Sequence, residues 1–155
     1  MDGILGGTRS KMTLLSDNGV SKVWAEGGWI YKRQPKFMTD NEIWCLEHMY
    51  DTGYVPYGEQ LEIELIRTRR VRTEKLTDPQ IFLFHTDLLL IAMYEAGIRH
   101  GDLTIYHVLP VNNRPRIIDW GESRAFCDPR PDKRPEGDQF WLSKTMQEIV
   151  AKNEW

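Results

Sequence analysis

A chain of 155 residues with 41% hydrophobic content suits one compact domain with a real core. Its formal net charge of -3, from 20 basic and 23 acidic residues, excludes a globally basic nucleic-acid footprint and leaves room only for a local one. Two cysteines, Cys45 and Cys127, make no disulfide framework, and neither has metal-ligand company at useful spacing.

No apolar run approaches the ~18 residues a membrane helix needs. The start, MDGILGGTRSKM, lacks the basic region and apolar core of a secretory signal. A soluble, cytoplasmic protein is expected.

Residues 1–13 have no clear period and read as a loose arm or a weak first strand. Residues 14–34 read as strands joined by turns at Asp17-Asn18-Gly19 and Glu26-Gly27-Gly28, ending at Pro35. A helix is expected over 40–52, capped by Asp40 or Thr39, with Ile43, Leu46, Met49 and Tyr50 as its apolar stripe and Gly53 as its stop. LEIELI, residues 61–66, alternates apolar and acidic positions as a strand does.

RTRRVRTEK, residues 67–75, has five basic residues in nine. It reads either as a solvated face or as a landing site for an acidic partner. Thr77-Asp78-Pro79 opens a helix that runs to Gly97 and, being apolar almost all round, should be buried. Residues 109–118 suggest a short hairpin turning at Asn112-Asn113-Arg114. Residues 127–138 hold three prolines and should be irregular, and a last helix is expected over 139–152.

The chemistry concentrates in residues 98–123, IRHGDLTIYHVLPVNNRPRIIDWGES. Asp102 follows the long apolar helix, and Asp119 ends an apolar strand before Trp120-Gly121. Two carboxylates on neighbouring loops suit phosphoryl transfer, one orienting and deprotonating a hydroxyl, the other holding a divalent ion.

HGDL followed by IIDWG resembles the catalytic and metal-binding loops of the protein-kinase-like superfamily. It is most similar to the atypical branch: aminoglycoside and choline phosphotransferase-like proteins and small kinases of the Rio and Bud32 type. The resemblance, weak outside these two loops, covers roughly residues 14–126. It implies ATP and Mg2+ or Mn2+ as cofactors. Lys32 takes the place of the phosphate-binding lysine and Glu42 that of its pairing glutamate. Gly19 and Ser21 take the place of the glycine-rich loop, and adenine would bond to backbone groups near Glu64 and Leu65. The resemblance further implies that His100 and Gly101 would brace the catalytic loop and Gly121 would support the metal loop, and Asp138 is similar in place to a structural aspartate.

The sequence departs from the family in three ways. The expected second metal ligand, an asparagine five residues after the catalytic aspartate, is His107, which reads equally as a metal ligand or a loop brace. The glycine-rich loop has one glycine. Only residues 122–155 follow Gly121, where relatives commonly continue into a helical platform.

The resemblance therefore implies an α+β, minimal protein-kinase-like fold: residues 1–66 as first lobe and hinge strand, 67–155 as a reduced second lobe. The expected activity is transfer from ATP to a protein serine or threonine, with Asp102 and Lys32 catalytic and Asp119 and His107 on the metal. The acceptor would be an acidic or flexible protein, or the chain itself, and an oligomer is possible. Rival readings are a degenerate partner-binding fold, a small-molecule phosphotransferase and a nucleotide-hydrolysing switch. The size suits a compact viral genome acting in a host cytoplasm.

Overall fold

The computed structural model describes residues 11–104, 106–125, 128 and 137–152. Expectations for residues 1–10, Cys127, most of 127–138 and Trp155 lie outside the described residues.

Three antiparallel strands open the chain: β1 (Thr13–Asp17), β2 (Lys22–Glu26) and β3 (Trp29–Arg33). Gly19 and Gly27 take positive φ at the two turns, as both turn sequences require. Helix α1 (Lys36–Met49) follows, then a 3-10 turn (Tyr50–Thr52) that Gly53 closes in left-handed conformation.

Helix α1 starts four residues before the expected position. Pro35 is its N-cap residue and supplies no side-chain bond. Thr39 and Asp40 lie inside the helix, where the Thr39 hydroxyl donates to the Gln34 carbonyl and Lys36 pairs with Asp40 at 2.6 Å. The inward face is Thr39, Glu42, Cys45, Leu46 and Met49, while Tyr50 is exposed.

LEIELI is not one strand. It spans a hairpin of β4 (Gly58–Glu62) and β5 (Leu65–Arg69) that turns at Ile63-Glu64. The alternation ran through a turn that carries no glycine, proline or asparagine to mark it. Strand β5 pairs with both β3 and β4, giving sheet order β1-β2-β3-β5-β4, and it continues past residue 66 to Arg69.

Helix α2 (Pro79–Ala96) follows its sequence signals. The Asp78 carboxylate accepts from the Gln80 and Ile81 N–H groups, and Gly97 caps the other end at positive φ. It is not buried all round. Phe82, Thr86, Leu89 and Met93 face the core, while Ile81, Phe84, Ile91 and Tyr94 are exposed.

Strands β6 (Ile98–Arg99) and β9 (Arg124–Ala125) pair, and β7 (Val108–Val111) pairs with β8 (Arg114–Ile117). The β7–β8 turn uses Asn112 and Asn113, both at positive φ. Helix α3 (Asp138–Lys152) ends the described chain.

The main core joins Cys45, Leu46 and Met49 of α1 to Phe82, Leu89 and Met93 of α2, Val108 and Ile117 of the hairpin, Trp120, and Leu142, Met146 and Ile149 of α3. The buried sheet residues Ala25, Leu65 and Ile66 lie outside that cluster. Helix α1 thus fastens the sheet to the rest, and a cleft remains between them. Among the described residues no helix is long and apolar enough to cross a membrane.

Candidate active site

The cleft encloses about 270 Å³, near the lower end for ligand pockets. Its roof carries Leu15, Val23 and Ile30 from the sheet, its floor Leu109 and Ile118, and its edge Arg69, Arg70 and Val71. Lys32, Glu42, Asp119 and Trp120 line its inner end.

Three elements converge there. The Lys32 ammonium on β3 lies 3.0 and 3.2 Å from the two Glu42 oxygens of α1 and 3.0 Å from Asp119 Oδ1 of the loop after β8. Glu42 also accepts from Gln34 Nε2 at 3.1 Å and from the Trp120 N–H at 3.3 Å. This one buried carboxylate therefore ties β3, α1 and the Asp119 loop together. Burial alone would depress the Lys32 pKa, but Glu42 and Asp119 outweigh it and hold the pKa above the ordinary lysine value.

Asp119 takes a φ of +66°, in the left-handed region. Its side chain is 42% exposed toward the cleft. Oδ1 meets Lys32, and Oδ2 meets His107 Nε2 at 3.0 Å. Burial works against the charge, but Lys32 and His107 overcome it and hold this carboxyl well below the usual range.

His107 Nδ1 lies 2.7 Å from the Asp102 carbonyl oxygen, so it donates. With Nε2 against a carboxylate and Nδ1 against a carbonyl, this arrangement favours a proton on both ring nitrogens. Burial opposes that proton, yet the Asp119 bond and the Asp102 carbonyl outweigh it and raise the His107 pKa.

The loop that carries Asp102 is braced from below. Asp138, first residue of α3, accepts from the His100 N–H at 2.6 Å and the Gly101 N–H at 2.9 Å. Gly101 is at positive φ. His100 is fully buried, with Nε2 donating to the Ile118 carbonyl at 3.0 Å and Nδ1 accepting from the Asp102 N–H at 3.2 Å. Burial lowers its pKa, consistent with a neutral ring. Asp102 follows, 8% exposed.

Trp120 is buried beside His100 with ring centroids 4.7 Å apart. Gly121 lies against α1, where a Cβ would come within 3.0 Å of Met38 and 3.3 Å of Gln34. The Cys45 thiol meets the Ser123 hydroxyl at 2.9 Å, and burial pushes its pKa up to about 12.

The structure brings Lys32, Glu42, Asp119 and His107 together, with Asp102 one loop away. It does not bring Glu64 and Leu65 to the cleft. Glu64 is in the β4–β5 turn, its carbonyl accepting from the Gln34 N–H at 3.0 Å, and Leu65 pairs with Arg33. The cleft edge lies further along, at Arg69 to Val71, because the hairpin turn displaces the register assumed for a single strand.

Gly19 and Ser21 also stand away from the cleft lining. Their loop is closed on itself: the Val20 and Ser21 N–H groups donate to Asn18 Oδ1 at 2.9 and 2.8 Å, and the Gly19 N–H to Asp17 at 3.2 Å. Sequence reasoning missed Gln34, whose only signal was its place next to Pro35. Arg67 and Arg69 of the basic run flank the Trp29 ring at 3.9 and 4.0 Å, and Arg67 pairs with Glu59. Among the described residues no three His, Cys, Asp or Glu side chains converge to hold a metal alone.

No protein-family model matches the chain, and no curated protein matches it by sequence. Solved structures do match. Rio2 kinase from Chaetomium thermophilum aligns with TM-score 0.58 at 14% identity, over 88% of this chain and 55% of that one. Its ADP/Mg2+-phosphoaspartate complex aligns with TM-score 0.54 at 15% identity. The ADP-bound aminoglycoside phosphotransferase APH(2'')-Ib aligns with TM-score 0.53 at 10% identity, over 76% of this chain and 67% of that one. The fold is that of the atypical protein-kinase-like phosphotransferases, and the chain spans about half the length of the Rio2 structures it matches.

Proposed function

We propose that the chain is an ATP-dependent phosphotransferase that moves the terminal phosphoryl group to a protein hydroxyl, on serine or threonine, its own included. One observation carries this reading: a lysine, a glutamate and an aspartate from three separate elements meet within 3.0–3.2 Å at the inner end of an apolar cleft.

Adenine would lie between Val23 and Ile30 above and Leu109 and Ile118 below, its edge on the backbone of Arg69 to Val71. Lys32 would contact the phosphates with Glu42 orienting it, and Asp102 would position the acceptor hydroxyl and take its proton. Asp119 would hold Mg2+ or Mn2+, an ion that neutralises phosphate charge when bound. One carboxylate is a fitting share for magnesium, which draws its remaining ligands from phosphates and water. Once deprotonated, His107 Nε2 faces the same site, a nitrogen donor that manganese accepts more readily. Arg70 and Arg72 are exposed beside the cleft edge and would favour an acidic or flexible acceptor.

The test uses purified chain and gamma-labelled ATP with magnesium or manganese, and Asp119→Asn as control. Label on the chain or an added protein, lost in Asp119→Asn, is the expected result. Absence of transfer with both metals contradicts the reading, and phosphate release alone would make the chain a hydrolase. Label on an added aminoglycoside alone would favour a small-molecule acceptor.

A second reading, a degenerate kinase fold that binds a partner without turnover, draws on two observations. Lys32 and His107 already neutralise Asp119, and the β1–β2 loop spends its N–H groups on its own side chains. It predicts partner binding indifferent to ATP and to Asp102→Asn.

A further inference from the structure

We propose that the hollow lined by Arg69, Arg70 and Arg116 binds a phosphorylated side chain of a polypeptide. Nothing in this inference depends on the reading of the cleft. The hollow holds about 480 Å³, within the usual range for ligand pockets. Its walls come from the 3-10 turn, the residues leading into β4, the end of β5 and Arg116 of β8.

Three guanidinium groups and one carboxylate, that of Asp51, line this hollow, which leaves two positive charges in excess. Among the described residues none of the three arginines makes an ion pair. Glu59 on β4 is committed elsewhere, since it pairs with Arg67 and accepts from the Tyr57 hydroxyl at 3.2 Å. A lysine or histidine in such company could shed its proton, but a guanidinium does not. The repulsion is therefore relieved only by an anion.

The excess selects the anion. A phosphate monoester carries about 1.5 to 2 negative charges at pH 7 and three acceptor oxygens, and arginine forks fit those oxygens in pairs. A phosphodiester carries about one and would leave a cation unmatched. The walls are fixed in advance. The Arg69 N–H donates to the Tyr57 carbonyl at 2.8 Å and the Arg70 N–H to the Gly28 carbonyl at 2.9 Å. The Ile117 N–H, next to Arg116, donates to the Tyr54 carbonyl at 2.7 Å. Arg69 is also stacked on the Trp29 ring at 4.0 Å, and a stacked guanidinium keeps its in-plane donors for an anion.

The hollow is larger than a bare phosphate fills. Tyr50 and Tyr57, whose rings meet edge to face at 5.9 Å, are both exposed and line it together with Pro56. They offer carbon surface to the residue that bears the phosphate.

Fluorescence anisotropy of the full chain tests this with labelled alanine–glycine peptides carrying one phosphoserine or one phosphotyrosine. A Kd of about 10–100 µM is expected, at least about 10-fold tighter than for the unphosphorylated peptides. Arg70→Gln/Arg116→Gln should weaken binding at least about 10-fold with circular dichroism unchanged. Arg70→Gln alone, at an exposed side chain, serves if the double variant does not fold. Asp51→Asn should bind about 3-fold more tightly, and Arg72→Gln, outside the hollow, as the wild type does. Equal binding of phosphorylated and unphosphorylated peptides overturns the proposal. So does full-strength binding in the folded arginine variant, or an equal loss in Arg72→Gln, which would mean diffuse charge. Inorganic phosphate that binds as tightly as the phosphopeptide overturns the polypeptide source, and a single-stranded oligonucleotide that displaces the peptide at equal concentration overturns the choice of a monoester.

Discussion

Asp119 concentrates the electrostatics of the cleft in one side chain. Its left-handed backbone costs an aspartate about 1 kcal/mol, and Lys32 and His107 both bind the carboxylate so presented. The pKa directions set a pH window. Asp119 is depressed, so its contribution to stability is present above the ordinary carboxylate pKa of about 3.9 and is lost as pH falls through the folded value. His107 is raised, so its contribution is present below about 6.5 and is lost as pH rises through its folded pKa. In Asp119→Asn the imidazole should titrate lower than in the wild type, read from its side-chain nitrogen resonances; an unchanged titration would mean the contact does not exist in solution. Glu42 has the larger role in stability, being 2% exposed and bonded to Lys32, Gln34 and the Trp120 N–H. Glu42→Ala should cost about 3 kcal/mol in urea unfolding. A loss under about 1 kcal/mol would show that the buried cluster is not the junction described.

Among the elements, α2 shows how local chemistry sets a boundary twice. Asp78 caps it directly, and Asn113 of the β7–β8 turn accepts from the Thr77 and Asp78 N–H groups at 2.8 and 3.0 Å. Asn113→Gly keeps the positive φ and loses those bonds, whereas Asn113→Ala loses both. Thermal unfolding should therefore rank wild type above Gly above Ala, the first step about 1 kcal/mol; equal stability of Gly and wild type would remove the cap. This helix was legible because capping residues and Gly97 announce themselves by type. The start of α1 was not, since its N-cap is a proline that looked like the end of a strand. The β4–β5 turn was hidden because Ile63-Glu64 continues the alternation of the strands it joins, and that error moved the expected adenine edge to Glu64 and Leu65. The exposed face of α2 was misread because an apolar side chain does not say which partner covers it.

On the scale of the whole molecule, the core joins α1 to α2, the hairpin and α3, while the sheet reaches it through α1 and the Lys32–Glu42 cluster. The two aspartate loops were legible because HGDL and IIDWG are unusual strings. Lys32 and Glu42 were legible by order along the chain, and only the fold could bring them within 3.0 Å. The spent N–H groups of the β1–β2 loop could not be foreseen, because they depend on how Asn18 turns its side chain. The arrangement leaves one central demand. On the proposed reading, a nucleotide with its metal would have to take Lys32 and Asp119 from each other, and both would then have to favour the complex. The most direct check is the melting temperature of the chain titrated with ATP and magnesium, in wild type and Asp119→Asn. At saturating ATP the wild type should rise by on the order of 5–10 °C, with magnesium required and that requirement lost in the variant. A melting temperature indifferent to ATP and magnesium would contradict the account of the cleft as a phosphotransfer site.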